Sequence, residues 1–117
     1  ARAFMDGLSA DAPGFISVVP IVETAWTLRT RYNADIDAIG GLISALVGAQ
    51  ELVVQEADIV RRVARESVTH HVDLVDLLIA HLGIAHGCDY TVTFDRKAAR
   101  LPGMKLIDTY GGRGRHG

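Results

Sequence analysis

The sequence predicts an α/β fold with a mainly parallel sheet, and three observations predict it. Short runs of β-branched residues bounded by turn signals alternate with longer runs at helical spacing. These runs follow one another so that helices separate the strands. Hydrophobic residues make up 49% of the chain and charged residues 22%, the balance of a globular domain with a core. A chain of 117 residues has room for one such domain.

Residues 2–8 read as a helix end, with Ala3, Phe4 and Leu8 on one side. Asp11-Ala-Pro-Gly14 is a turn. Phe15–Val19 is rich in β-branched residues and reads as a buried strand. Pro20 follows where a helix tolerates proline best, and the helix runs to about Tyr32. Its apolar face is Ile21, Ala25, Leu28 and Tyr32. Asn33 or Asp35 offers a side-chain oxygen to the first free N–H groups of the next helix. That helix carries Ile36, Ile39, Ile43, Leu46 and Val47 at helical spacing. Gly40 and Gly41 weaken it by roughly 1 kcal/mol each relative to alanine and leave room for a close neighbour.

Leu52–Gln55 is a short strand, and Glu56 to about Val68 is helical with Val60, Val63 and Ala64 inward. Val72 to Ala85 is the next helix, with Leu74, Leu77, Leu78 and Leu82 buried and Gly87 as its stop. Tyr90–Phe94 is a strand, Asp95–Arg100 a helical turn, Pro102-Gly103 a turn and Lys105–Ile107 the last strand. Residues 108–117 are rich in Gly and Arg, cannot bury a core and are expected to be a flexible tail, which leaves 1–107 as the domain.

Charge and composition narrow the function. Twelve Lys and Arg stand against 14 Asp and Glu, a net charge of −2. That balance argues against a broadly basic nucleic-acid binder and leaves local contact open. Without the tail residues Arg113 and Arg115 the excess of acid grows. Cys88 is the single cysteine, so an internal disulfide is excluded and a reducing compartment fits. No apolar run reaches the length that spans a bilayer, and no charged-then-apolar leader opens the chain. The cytoplasm is the expected location.

The acids fall in a pattern. In open α/β sheets, sites form at the carboxyl ends of the strands. Asp95 directly follows strand 90–94, and Glu23 is expected in the first turn of the helix after strand 15–19. Helix 72–85 returns antiparallel to strand 90–94, so Asp73 and Asp76 are expected over the same edge. Asp73, Asp76, Ala80 and Gly83 share a face that is acidic above and small below, open to close approach. Clustered carboxylates repel one another unless a cation neutralises them, and Mg²⁺ or Mn²⁺ takes oxygen ligands. Metal-assisted hydrolysis of a phosphodiester is the natural use. Singly, each acid is explained as a helix cap or surface charge.

Val22-Glu-Thr-Ala-Trp26 after a strand, Val72-Asp-Leu-Val-Asp-Leu-Leu-Ile-Ala80, Thr91-Val-Thr-Phe-Asp-Arg-Lys-Ala-Ala99 and Leu101-Pro-Gly103 resemble, in order and spacing, the PIN-domain family. The nearest likeness is to ribonuclease toxins of VapC type, over about residues 1–107. The resemblance implies a three-layer α/β/α sandwich and cleavage of RNA with Mg²⁺ or Mn²⁺. It implies a homodimer and a cognate antitoxin that blocks the active site. The family's acidic positions correspond to Glu23, Asp76 and Asp95 as catalytic and metal-holding residues, with Asp73 ranked below them and Thr93 as the accompanying hydroxyl. The family opens with a strand ending in an aspartate in an Asp-Thr-Asn-like context. Here the expectation is that the chain opens partway through the first helix, without that strand and its acid. Asp6 and Asp11 do not stand in that context. The alternative function is therefore an inactive PIN-domain remnant that only binds antitoxin or dimerises.

Other signals carry less. Gly112-Arg-Gly-Arg-His-Gly117 fits G-x-G-x-x-G but lacks the strand before and the helix after that a dinucleotide site needs. His70, His71 and Asp73 read as a solvated loop, without a second cluster at zinc spacing. His81 and His86 read as surface, and Cys88 as a small buried residue. Trp26 is assigned to the core or a dimer interface. Arg29 and Arg31 are candidates for RNA contact or for a solvated face. Lys97 and Arg100, on the turn behind Asp95, are better placed to touch phosphate as positioning residues.

Overall fold

A computed structural model of the protein describes residues 7–107. The expected helix end at 2–8 lies almost wholly outside them, as does the tail. The chain divides into two compact units, Ala1–Leu77 and Leu78–Gly117.

The first unit begins with strand β1 (Gly14–Ile16). It is followed by helices α1 (Val18–Arg31) and α2 (Ile36–Gly48), strand β2 (Leu52–Val54) and helix α3 (Ala57–His70). The strands pair in parallel, with Phe15 opposite Val53. The Gly14 N–H donates to the Glu51 carbonyl at 2.8 Å and the Gln55 N–H to the Ile16 carbonyl at 2.9 Å. The strand expected through Val19 ends at Ile16, because Val18 and Val19 open the helix. The reason is tertiary. Ser17 makes no side-chain cap, and the Gln55 side chain, from the end of β2, accepts the Val18 N–H at 2.9 Å. Pro20 still falls in the first turn, where its missing N–H is no loss.

Asp35 is the residue that caps α2, accepting the Ala38 N–H at 2.8 Å. The core of this unit is Ile21 and Ala25 of α1, Ile39, Ile43 and Val47 of α2, and Val60, Val63 and Ala64 of α3, all buried. Tyr32, expected on the apolar face of α1, is instead 72% exposed, since it lies just past the helix end. Trp26 is also exposed and is not part of this core.

Helix α3 runs to His70, two residues beyond the expected end, and His71 stops it with a positive φ of 57°. The Val72 N–H turns back to the Ser67 carbonyl at 3.1 Å, and the buried Ser67 hydroxyl donates to the Val72 carbonyl. The junction after α3 thus satisfies its own polar groups. His70 and His71 are both exposed, as a solvated turn requires.

Helix α4 (Leu74–Ala85) contains the division between the units. The second unit then has strand β3 (Thr91–Thr93), a single 3₁₀ turn (Ala98–Arg100) and strand β4 (Met104–Leu106). β3 and β4 pair in parallel, with Val92 opposite Lys105. Ala80, Ala98 and Met104 form their core, with Ile79 and Leu101 packed against it. The α/β character with parallel pairing therefore holds, in two two-stranded sheets. Gly87, with φ +76°, ends α4 as expected. Cys88, expected to be buried, is exposed just after that turn. Among the described residues, no helix is long and apolar enough to cross a membrane.

Candidate functional site

In the first unit, Glu23 stands on the second turn of α1 and is exposed. It misses the first turn because the helix starts at Val18. Thr24, Thr27, Leu28 and Tyr32 line a shallow depression with it. Asp76 lies in the first turn of α4 and is half-buried.

Asp73 precedes α4 and has two structural tasks. One carboxylate oxygen accepts the Asp76 N–H at 3.1 Å, which caps the helix. The other is 2.8 Å from the Arg29 guanidinium. The side chain of Asp73 retains only 17% of its exposure, so this ion pair is partly sheltered from water. Arg29, a candidate for RNA contact, is turned to Asp73, and both border a small cavity with Ser67 and Leu74. The two residues lie 44 positions apart, and nothing local in the sequence signals their pairing.

In the second unit, Asp95 is exposed at the carboxyl end of β3. Its N–H donates to the Thr93 hydroxyl at 3.1 Å, and one of its carboxylate oxygens accepts the Lys97 N–H at 2.9 Å. Its carbonyl accepts the Ala99 N–H at 3.0 Å. Thr93 thus orients the backbone of Asp95, and Asp95 folds the following turn as an Asx motif does. Lys97 and Arg100 are exposed on that turn.

The small lower part of the α4 face is filled from within the chain. A Cβ placed on Gly83 would lie 2.0 Å from the Thr91 hydroxyl oxygen, and Ala80 packs against Ala98 and Met104. The close approach read from that face is made by this unit's own strands.

Among the described residues of either unit taken alone, no three His, Cys, Asp or Glu side chains form a ready cation site. Glu23 is exposed on α1, Asp76 is half-buried in the first turn of α4, and Asp95 is exposed after β3 with one carboxylate oxygen accepting the Lys97 N–H. Comparison of the chain with known protein families, with curated proteins and with solved structures finds no match.

Proposed function

We propose that the chain is a metal-dependent endoribonuclease of PIN-domain toxin type, with Glu23, Asp76 and Asp95 as its acidic residues. The fold that goes with this reading is a three-layer α/β/α sandwich. The observation that carries it is Asp95. An exposed carboxylate at the carboxyl end of a parallel strand, oriented by the hydroxyl two residues before it, stands where α/β folds keep their chemistry. Asp76 lies in the first turn of α4, and Glu23 stands exposed on the second turn of the helix that follows β1.

Mg²⁺ or Mn²⁺, when bound, would activate water and offset charge on the phosphate. The chain's own part is to supply hard oxygen ligands and to hold RNA. Lys97 and Arg100 serve that second role better than Arg29, whose charge Asp73 already engages. The partners in this reading are RNA, a cognate antitoxin and a second copy of the chain. Trp26 and Val19, exposed on α1, are the apolar surface a second copy would cover.

The test is cleavage of a mixed RNA pool by the full chain with Mn²⁺ and with EDTA, beside Asp95→Asn. Cleavage that needs both the metal and Asp95 is expected. Unchanged cleavage by the variant would sink the site assignment.

One observation favours the second reading, an inactive remnant that only binds antitoxin or dimerises. Neither unit alone gathers three ligands among its described residues. A folded wild-type chain that cleaves nothing with Mn²⁺ but is a dimer in solution is the result expected of that reading.

A further inference from the structure

Helices α2 and α3 of the first unit pack against each other and leave an open groove of about 430 Å³. Its lining from α2 includes Gly40, Gly41 and Ser44, and from α3 Arg61, Ala64 and Arg65. Each set repeats at three- and four-residue spacing, so the groove follows one face of each helix. Gly40 and Ala64 are buried, while Gly41, Ser44 and both arginines are exposed.

The two glycines differ in what explains them. A Cβ on Gly40 would lie 3.1 Å from the Ala64 carbonyl oxygen, so the packing of α3 asks for glycine there. At Gly41 a Cβ would meet nothing within 4 Å. Glycine inside a helix costs stability relative to alanine, and no contact within the chain offsets that cost at Gly41. What Gly41 does provide is bare backbone in the groove, where another backbone can approach closely.

The cations set the chemistry of the occupant. Arg61 and Arg65 are one helical turn apart, about 6 Å along the axis. Arg61 meets Asp58 at 3.1 Å, but both side chains stand in water and such a pair is weak. Among the described residues no ion pair holds Arg65. Acids four residues apart on an incoming helix repeat at the same pitch as the two arginines. A small molecule would be covered on one side only, whereas small-molecule sites enclose most of their ligand. A nucleic acid fits less well, because no aromatic ring lines the groove for a base and the carboxylate of Asp37 does line it. A second copy lacks the matching acids, since no described helix carries two Asp or Glu four residues apart.

We propose that the α2–α3 groove is the docking site for an acidic helix of a partner protein, laid with small residues on Gly41 and with carboxylates one turn apart on Arg61 and Arg65. Glu23, Asp76 and Asp95 do not line the groove, so the proposal goes beyond the ribonuclease reading and does not rest on it. The probe is a fluorescein-labelled helical peptide of about 20 residues built from Glu-Ala-Ala-Ala repeats, beside its Gln-Ala-Ala-Ala counterpart. The full chain is titrated into each and anisotropy is read. The Glu peptide binds saturably and the Gln peptide more weakly. Arg65→Gln weakens binding of the Glu peptide by about 2- to 5-fold. Gly41→Gln fills the groove and weakens it by about 5- to 100-fold. Its Cβ meets no neighbour, so its far-UV circular dichroism matches wild type and its urea midpoint is no lower. Gly48→Gln is the control: its surroundings are equally open, it does not line the groove, and it leaves affinity unchanged. Equal binding of the two peptides, wild-type affinity in Gly41→Gln, or no binding by the wild-type chain overturns the proposal. A wild-type dimer that Gly41→Gln dissociates overturns it in favour of a second copy. An oligouridylate that binds more tightly than the Glu peptide, and is lost in Gly41→Gln, overturns it in favour of a nucleic acid.

Discussion

Gly40 and Gly41 are neighbours in one helix, and alanine at the two positions has opposite consequences. Alanine gains about 1 kcal/mol over glycine in a helix interior at either site. At Gly41 a new Cβ meets nothing within 4 Å, so that gain is the whole effect. At Gly40 the new Cβ lies 2.5 Å from a methyl carbon of Val68 and 3.1 Å from the Ala64 carbonyl oxygen. Carbon atoms rest about 3.5–4.0 Å apart, so the methyl is at least 1 Å too close. Val68 is partly exposed and can turn, but the Ala64 oxygen belongs to the backbone of α3 and cannot. Overpacking of this kind costs about 1–3 kcal/mol. The helix gain is common to both variants, so the difference between them equals the overpacking cost. Urea unfolding followed by circular dichroism measures it, provided the denaturant slopes agree. Gly41→Ala should be more stable than wild type, and Gly40→Ala less stable than Gly41→Ala by about 1–3 kcal/mol. In a Val68→Ala background the gap should narrow. Equal stability of the two variants would refute the close packing of α2 on α3.

Ser67→Ala removes a buried hydroxyl and leaves the Val72 carbonyl short of a partner, so a loss of about 1–3 kcal/mol in urea unfolding is expected. Asp73→Ala removes the cap on the Asp76 N–H and strands Arg29, and should cost about 1–2 kcal/mol by the same measurement. If Asp73 were instead a metal ligand alone, the variant would lose metal binding and keep its stability.

The parallel α/β class and the sites of its elements were legible in the chain because hydrophobic period is a local property. Ile39, Ile43 and Val47 repeat at helical spacing and are buried; Asp35 stands where a cap is needed and is one. The turn after β3 was legible as a turn from Asp95 onward, but the bonds of Asp95 to the Thr93 hydroxyl and the Lys97 N–H were not read from the sequence. Candidate acids were legible as residues but not as a set. A carboxylate is equally suited to capping, ion pairing and metal ligation, and its partners decide which.

Tertiary structure alone decided the rest. It ended β1 at Ile16 by capping Val18 from Gln55, 37 residues away. It gave Asp73 to Arg29, and it exposed Cys88 and Tyr32, whose types suit an interior as well as a surface. It also separated Gly40, pressed against α3, from Gly41, open to solvent. The physical reason is common to all of these. Backbone propensity and side-chain spacing act over a few residues, whereas a close contact or a hydrogen bond between distant segments exists only once both have been placed.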